Sequence, residues 1–414
     1  MTAEQKYTSI NPLELLELQT GSVLTSEQET IEKFQPIQKY KEDCNCSFNI
    51  GIKPLYLDSE IATITTFLQN LIDTLPKAWE LGLQIWPPFN QTPLQSQLNQ
   101  VGAAKIPRLV RVDFTSVAGI PKLFEIEHNP SGLGIITLFQ KVWGCKSTLA
   151  QQYRTHICDN IHFLLTQKDL DYYDACFFMQ EMSGKTDQVH LLGELKAEFF
   201  QQEKLHFHRY FDPWKIEAES DSPLKTNLEL LLQSWVEGKI EIEPHPDLLM
   251  SKLGLASIFS QTNIWEQAGL NLEIARTVIP EIQLLSEITE EIPERQKSVL
   301  KVLTPDQSYG SRGVKVGSYQ RAQKWINFVR ELRASHTLAV VQNHIEHQKQ
   351  ILPFIDDSGA IQEEELDVLY RAFFLQTDTG LTFAGGYYVG CAANTKSGKV
   401  SGVSGVRGPL FNFF

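Results

Sequence analysis

What the chain lacks narrows its identity first. No apolar run approaches the ~20 residues that a membrane-spanning helix needs. The start, Met1-Thr2-Ala3-Glu4-Gln5-Lys6, has no basic stretch leading into an apolar core, so a secretory leader is not expected. Positive charge is in deficit: 37 Lys and Arg against 50 Asp and Glu give a formal charge of −13. That excludes broad binding to nucleic acid or anionic membranes and leaves room only for a local basic pocket. Cysteine is sparse, with six residues at 44, 46, 145, 158, 176 and 391. Cys44-x-Cys46 has no second pair at zinc-ligand spacing, and a chain this long needs no disulfide staples. Free thiols in a reducing cytoplasm are expected. Repeats and low-complexity tracts are absent too. What remains is globular: a 42% hydrophobic fraction over 414 residues excludes intrinsic disorder and fits two to four domains or one composite enzyme fold.

Residues 1–50 read as a polar, irregular arm broken by Pro12 and Pro36. From Asp58, the apolar positions Ile61, Ile64, Leu68, Leu71, Ile72 and Leu75 fall at helical spacing, with Asp58 or Ser59 placed to cap. Residues 106–130 read as a β-hairpin turning at Val117-Ala118-Gly119-Ile120. A helix over 149–165, a strand at Ala175–Met179, a helix over 188–204 and a strand at Leu205–Tyr210 suggest an α/β layer at about 150–245. Beyond it come a helix at Asp247–Ser260 and strands at Ser298–Leu303 and Gly313–Gly317 around a glycine loop. A helix at Ala322–Ala334 and a strand at Leu338–Gln342 follow. Val368–Leu375 and Leu381–Tyr388 form a second hairpin, and the acidic run Glu363-Glu364-Glu365 reads as a solvated helix start. The apolar end, Pro409–Phe414, is expected to pack into a groove.

Three constellations carry chemistry. If the first hairpin turns about Gly119–Pro121, Asp113 lies opposite Glu127 and Arg111 opposite Asn129, all on one face of the ribbon. Opposed carboxylates repel unless a cation lies between them, and two carboxylates with an amide oxygen form the hard donor set that Mg²⁺ takes. Lys301 leads into a turn containing Ser308, Gly310, Ser311 and Gly313, where backbone N–H groups and a cation can meet phosphate oxygens. Lys252 opens a helix, Arg371 interrupts an apolar strand, and Gln342-Asn343-His344-Ile345-Glu346 ends a strand in polar groups suited to a nucleobase edge. The pairs His206/His208 and His344/His347 lack a third ligand, and Ser131-Gly132 lacks a nucleophile-elbow frame.

The order of these pieces resembles the circularly permuted ATP-grasp group, which includes glutathionylspermidine synthase-like proteins. Arg111-x-Asp113 with Glu127-x-Asn129-Pro130 is similar to that superfamily's metal hairpin, which normally comes last and here comes first. The resemblance implies an α+β, circularly permuted ATP-grasp fold with an additional α/β pre-grasp-like domain. The expected divisions are a 1–105 arm and helical segment, a 106–148 metal hairpin with its following helix, a 149–245 pre-grasp-like domain, and 246–414 as nucleotide-binding subdomains. It also implies ATP-dependent carboxylate–amine (or carboxylate–thiol) ligation through an acyl phosphate, with ATP and Mg²⁺. A non-catalytic ATP-binding regulatory or partner protein, or a phosphotransferase without ligation, are the alternatives. By resemblance, Lys252, Lys301, Ser308, Gly310, Ser311 and Gly313 hold phosphates, and Gln342, His344 and Glu346 hold adenine. Asp113, Glu127 and Asn129 hold Mg²⁺, and Arg111 and Arg371 meet the transferring phosphate or acyl oxygens. The hinge lacks an acidic residue at its start, and Gly385-Gly386 lacks an arginine shortly after. No cysteine–histidine amidase domain is present, so hydrolysis is not expected. The expected partners are small carboxylate and amine substrates and a second copy of the chain as a homodimer, with no nucleic acid and no membrane.

Overall fold

Phe34, Ile37, Tyr40 and Cys44 recur every three or four residues, and all four are buried. That stripe makes Glu27–Asp43 a helix (α1) that continues through Pro36, where an irregular arm was expected. The computed structural model describes residues 27–44, 46–90, 107–157, 161–168, 170–201, 205–211, 223–243, 252–303, 313–392 and 405–412. After α1 come β1 (Asn49–Gly51), β2 (Leu55–Tyr56), α2 (Asp58–Glu80), the hairpin β3 (Leu109–Val117) and β4 (Ile120–Glu127), α3 (Leu133–Val142) and α4 (Leu149–His156). The next stretch holds β5 (Ile161–Leu165), α5 (Leu170–Ser183), β6 (Val189–Leu191), β7 (Leu205–Arg209), α6 (Pro223–Val236) and β8 (Ile240–Glu243). Then follow α7 (Lys252–Ser260), α8 (Thr262–Ala268), α9 (Leu272–Val278), β9 (Ile282–Leu284), β10 (Ser298–Val302), β11 (Val314–Val316) and α10 (Ala322–Ala334). The last strands are β12 (Ala339–Asn343), β13 (Gln348–Ile355), β14 (Ile361–Thr377), β15 (Gly380–Ala392) and β16 (Val406–Phe411).

The strands form three sheets. The largest runs β13-β1-β16-β15-β14-β3-β4, with β2 on β16. Because β13 also pairs with β14, the strands β14, β15, β16, β1 and β13 close on one another. The 17-residue β14 makes this possible: its first half pairs with β13 and its second half with β3. One face of the sheet packs on α2 and α7–α9 through Phe67, Val112, Phe114 and Trp265; the other packs on α1 and α3–α5 through Phe34, Phe139, Tyr153 and Phe373. A four-stranded antiparallel sheet, β11-β10-β12-β9, carries α10 on one face. A four-stranded parallel sheet, β6-β5-β7-β8, carries α6. Among the described residues no helix is long and apolar enough to cross a membrane.

Several expected elements change type. The helix expected over 149–165 stops at His156, and Ile161–Leu165 is the central strand β5. Ala175–Met179 lies inside α5, where Ala175, Phe178 and Met179 are fully buried. A short apolar run of that kind does not distinguish strand from buried helix. The helix expected over 188–204 is β6 followed by two short 3₁₀ turns. Glu363–Glu365 belongs to β14, not to a helix start. The helix α2 begins after Leu57 with no side-chain cap, so neither Asp58 nor Ser59 caps it. The apolar end is a paired strand, β16, lying between β15 and β1; Phe413 and Phe414 lie outside the described residues.

Candidate functional site

The hairpin β3–β4 turns on two residues, Ala118 and Gly119, with φ of +52° and +79°. This is the geometry of a two-residue hairpin loop whose twist suits the strands. It pairs Phe114 with Leu123, and continued regularly it would set Asp113 opposite Phe124. A bulge intervenes, with Phe124 as the extra residue, and Asp113 pairs with Glu125 and Arg111 with Glu127. The expected pairing of Asp113 with Glu127, and of Arg111 with Asn129, is therefore corrected by two residues. The face survives the correction because a two-residue shift preserves strand parity. The bulge leaves Val112, Phe114, Leu123 and Ile126 in the core and turns Glu125 and Glu127 to the side of Arg111 and Asp113.

A second bulge, at Ala384 between β14 and β15, aligns Arg371 with Tyr387. Tyr387, Arg371, Asp113 and Glu125 then stand in register across β15, β14, β3 and β4. Arg371 NH1 donates to the Tyr387 hydroxyl (2.9 Å), and its Nε lies 3.2 Å from Asp113 Oδ2. Arg111 Nε lies 2.7 Å from Asp113 Oδ1, and its NH1 donates to the Ser131 carbonyl at 3.3 Å. The second lobe closes over this row. Lys252, the first residue of α7, pairs with Glu125 Oε1 at 2.5 Å. Lys301, on β10, donates to the carbonyl of the bulged Phe124 (2.9 Å), and Gln342, on β12, donates to the Leu123 carbonyl (3.4 Å). Both thus satisfy backbone groups on the sheet's edge strand.

These contacts set the charge state. Burial alone would raise the Glu125 carboxyl, but the Lys252 ammonium, a hydrogen bond with Glu127 and Lys301 together hold it well below the usual carboxylate range. Burial, and then the charge and hydrogen bond of Glu125, push Glu127 well above that range. Burial works against the Lys252 ammonium, yet Glu125 and Glu127 raise its pKa. Lys301 has weaker compensation: burial pulls it down to about 8, with Glu125 opposing and Lys252 adding to the fall. Asp113 overcomes the burial of both arginines and raises them. Four side-chain cations, Arg111, Lys252, Lys301 and Arg371, thus face the three carboxyl groups of Asp113, Glu125 and Glu127 within a chain of net charge −13. Glu125 and Lys252 retain 20% and 15% side-chain exposure, so the row is recessed but open to solvent.

The structure brings together Arg111, Asp113, Glu127, Lys252, Lys301, Gln342 and Arg371 of the expected set. It does not bring Asn129. The Asn129 amide, oriented to satisfy both its groups, donates to the Arg209 carbonyl and accepts from the Phe211 N–H (3.2 Å) at the end of β7. Among the described residues no group of three or more His, Cys, Asp or Glu is gathered closely enough to hold a metal ion. The His344 N–H donates to the Lys297 carbonyl, and Glu346 is exposed in the β12–β13 connection. The Gly313 carbonyl accepts from the Val302 N–H and closes the base of the glycine loop; Ser308, Gly310 and Ser311 lie outside the described residues. Glu125 and Tyr387 were not anticipated. Glu125 alternates with Glu127 and was legible as a face partner; Tyr387 depends on the Ala384 bulge and gave no local signal.

In fold, the chain is similar to a glutathione synthetase-like effector from Globodera pallida, with a TM-score of 0.52 and 10% identity over 94% of this chain and 98% of that one. A Methylobacillus flagellatus KT protein described as a gamma-glutamylcysteine synthetase aligns over 86% of this chain and 89% of its own, with a TM-score of 0.41 and 11% identity. No protein-family model matches the sequence, and no curated protein does.

Proposed function

We propose that the chain is an ATP-dependent carboxylate–amine (or carboxylate–thiol) ligase built on a circularly permuted ATP-grasp fold. The observation that carries this reading is the convergence of Lys252 and Lys301 from one lobe with Arg111 and Arg371 from the other, inside an acidic protein. Such an excess of positive charge suits a polyphosphate and a carboxylate entering together. The permutation is supported by the hairpin's place: β3–β4 precedes the rest of the site in sequence yet pairs with β14.

The residues fit the groups this reaction needs. Burial and the neighbouring Glu125 raise the Glu127 carboxyl, and the repulsion between the two acids is what a divalent cation relieves. They, rather than Asn129, are proposed to hold Mg²⁺, with water and phosphate completing its oxygen shell. When bound, the ion neutralises phosphate charge as it develops. Lys252 and Lys301 are assigned to the phosphates, and Arg111 and Arg371 to the transferring phosphate and acyl oxygens. Asp113 fixes the two arginines in place, so the charge is preorganised rather than recruited. Buried Gln342 Oε1 has no hydrogen-bond partner and fits a donor such as the adenine amino group. In this sequence, ATP phosphorylates the substrate carboxylate, and the amine displaces phosphate to form the amide. Positioning and charge neutralisation supply most of the rate.

Mass spectrometry of the protein incubated with MgATP and mixed carboxylates and amines tests the reading. A condensed product with ADP supports ligation. A phosphorylated carboxylate or alcohol alone makes it a phosphotransferase, and ATP binding without ADP release makes it a non-catalytic binder.

A further inference from the structure

The Cys44-x-Cys46 motif lies apart from the residues of the cationic cleft. At the end of α1 the chain bends: the Cys44 N–H donates to the Tyr40 carbonyl (3.0 Å), and the Cys46 N–H reaches back to the Lys41 carbonyl (2.8 Å). The bend folds Cys46 onto the helix end, and the two thiols hydrogen-bond one another. Cys46 Sγ also lies 3.9 Å from the Cys44 carbonyl. Residues two apart are separated by at most about 7 Å even in an extended chain, so the bend keeps this pair within reach of an S–S bond.

The two thiols differ in a useful way. Cys44 is buried, and its hydrogen bond to Cys46 fixes its position beside Tyr40, whose hydroxyl donates to Asp174 at 2.5 Å. Cys46 is only half-buried, so a small oxidant can reach it. The hydrogen bond from Cys44 holds the Cys46 thiol below its usual value against the effect of burial, and Arg407 and Lys41 add to this. Burial pushes the free thiols of Cys145 and Cys176 up.

We propose that Cys44 and Cys46 are a modification site that a hydroperoxide converts to a disulfide, Cys46 attacking and Cys44 resolving. The Cys46 thiolate attacks the peroxide oxygen, the O–O bond breaks, and the leaving alkoxide takes up the thiol's proton. This leaves a sulfenic acid on Cys46 and one molecule of alcohol, or of water from hydrogen peroxide. The Cys44 sulfur then attacks the sulfenic sulfur, the S–O bond breaks, and hydroxide leaves as water with the Cys44 proton. Two thiols are oxidised and one hydroperoxide is reduced.

The test exposes reduced, full-length protein to hydrogen peroxide, alkylates the remaining thiols and weighs the peptides. The peptide carrying residues 44–46 is expected to lose two hydrogens and both alkylation sites together, at least about tenfold faster than Cys145 or Cys176 reacts. Dithiothreitol restores both thiols. Cys44→Ser stops Cys46 at a sulfenic acid that dimedone captures, and Cys46→Ser leaves Cys44 as slow as Cys145. Oxidation no faster than that of Cys145, overoxidation of Cys46 without a disulfide in the wild type, or a disulfide joining either cysteine elsewhere would each overturn the proposal.

Discussion

Replacing Lys301 with methionine removes a charge that its surroundings disfavour. The ammonium has an ordinary pKa of 10.5 and is pulled to about 8 by burial, which Glu125 only partly offsets. At about 1.4 kcal/mol per unit, holding the charged form in place costs roughly 3 kcal/mol. Because the folded pKa lies below the unfolded one, the unfolded chain holds more protons between pH 8 and pH 10.5. Wild-type stability therefore gains from this group as pH rises through that window, and the cost is full below it. Methionine also forfeits the bond to the Phe124 carbonyl, worth about 1.5–3 kcal/mol. The two effects nearly cancel at pH 7, so the variant should unfold within about 1.5 kcal/mol of wild type there. The pH dependence does not cancel. Urea unfolding of both proteins should give a wild-type-minus-variant difference that rises by roughly 2–3 kcal/mol between pH 7 and pH 10. Taking the difference removes the buried tyrosines, which titrate identically in both. MgATP should stabilise wild type more at pH 7 than at pH 10, because phosphate restores the ammonium's compensation, and should stabilise the variant far less. A flat or falling difference curve would refute the account of Lys301 as an undercompensated charge waiting for an anion.

Three further outcomes follow from the same row. Glu127→Gln should lower MgATP turnover by at least ~10²-fold while leaving folding intact or slightly improved at neutral pH, since burial and Glu125 both disfavour a charge at this position; equal turnover in the two proteins would remove it from the metal set. Asp113→Asn strands the buried Arg111 and the part-buried Arg371 against each other and should cost about 3–5 kcal/mol in denaturant unfolding, whereas a surface ion pair would cost under about 1. Gly132→Ala should cost about 1–2 kcal/mol, because Gly132 has a φ of +92° and its added Cβ would meet the Tyr387 hydroxyl at 3.0 Å; an unchanged melting temperature would contradict it.

The sequence made the first hairpin legible because Val112 and Phe114, and Phe124 and Ile126, alternate with polar residues around a loop that tolerates positive φ. It did not make the register legible. The bulges at Phe124 and Ala384 are each one residue long, and nothing local distinguishes a bulged residue from its neighbours. The same limit hid Tyr387, whereas Asp113 faces Glu125 instead of Glu127 because the turn falls on Ala118–Gly119 rather than Gly119–Pro121, a three-residue change of which the bulge restores one. Lys252, Lys301 and Arg371 were found by chain order, and Asn129 was misplaced by the same logic, since its amide is drawn to the end of β7. The region 161–201 was misread for a different reason. β5 is almost wholly buried, and α5, which buries Ala175, Phe178, Met179 and Met182 on one face, carries apolar Tyr172, Tyr173, Cys176 and Phe177 on its other faces, so hydrophobic periodicity carries little directional information there.

The double pairing of β14 has a consequence for how the chain is made. Arg111 and Asp113 emerge from the ribosome about 250 residues before β14, the strand that pairs with β3 and brings Arg371 to Asp113. At ~5–20 residues per second, that wait is roughly 10–50 s. Throughout it, the β3–β4 hairpin has an unpaired β3 edge and lacks Arg371 beside Asp113, while Lys252 and Lys301 arrive only partway through. β1 waits longer still, since both its partners, β13 and β16, come after residue 347. The large sheet therefore assembles only at the close of synthesis, through contacts distant in sequence, and slow folding with dependence on chaperones is the expected cost. A nascent chain stalled before Ile361 should stay sensitive to protease at the hairpin, and one released after Phe411 should not.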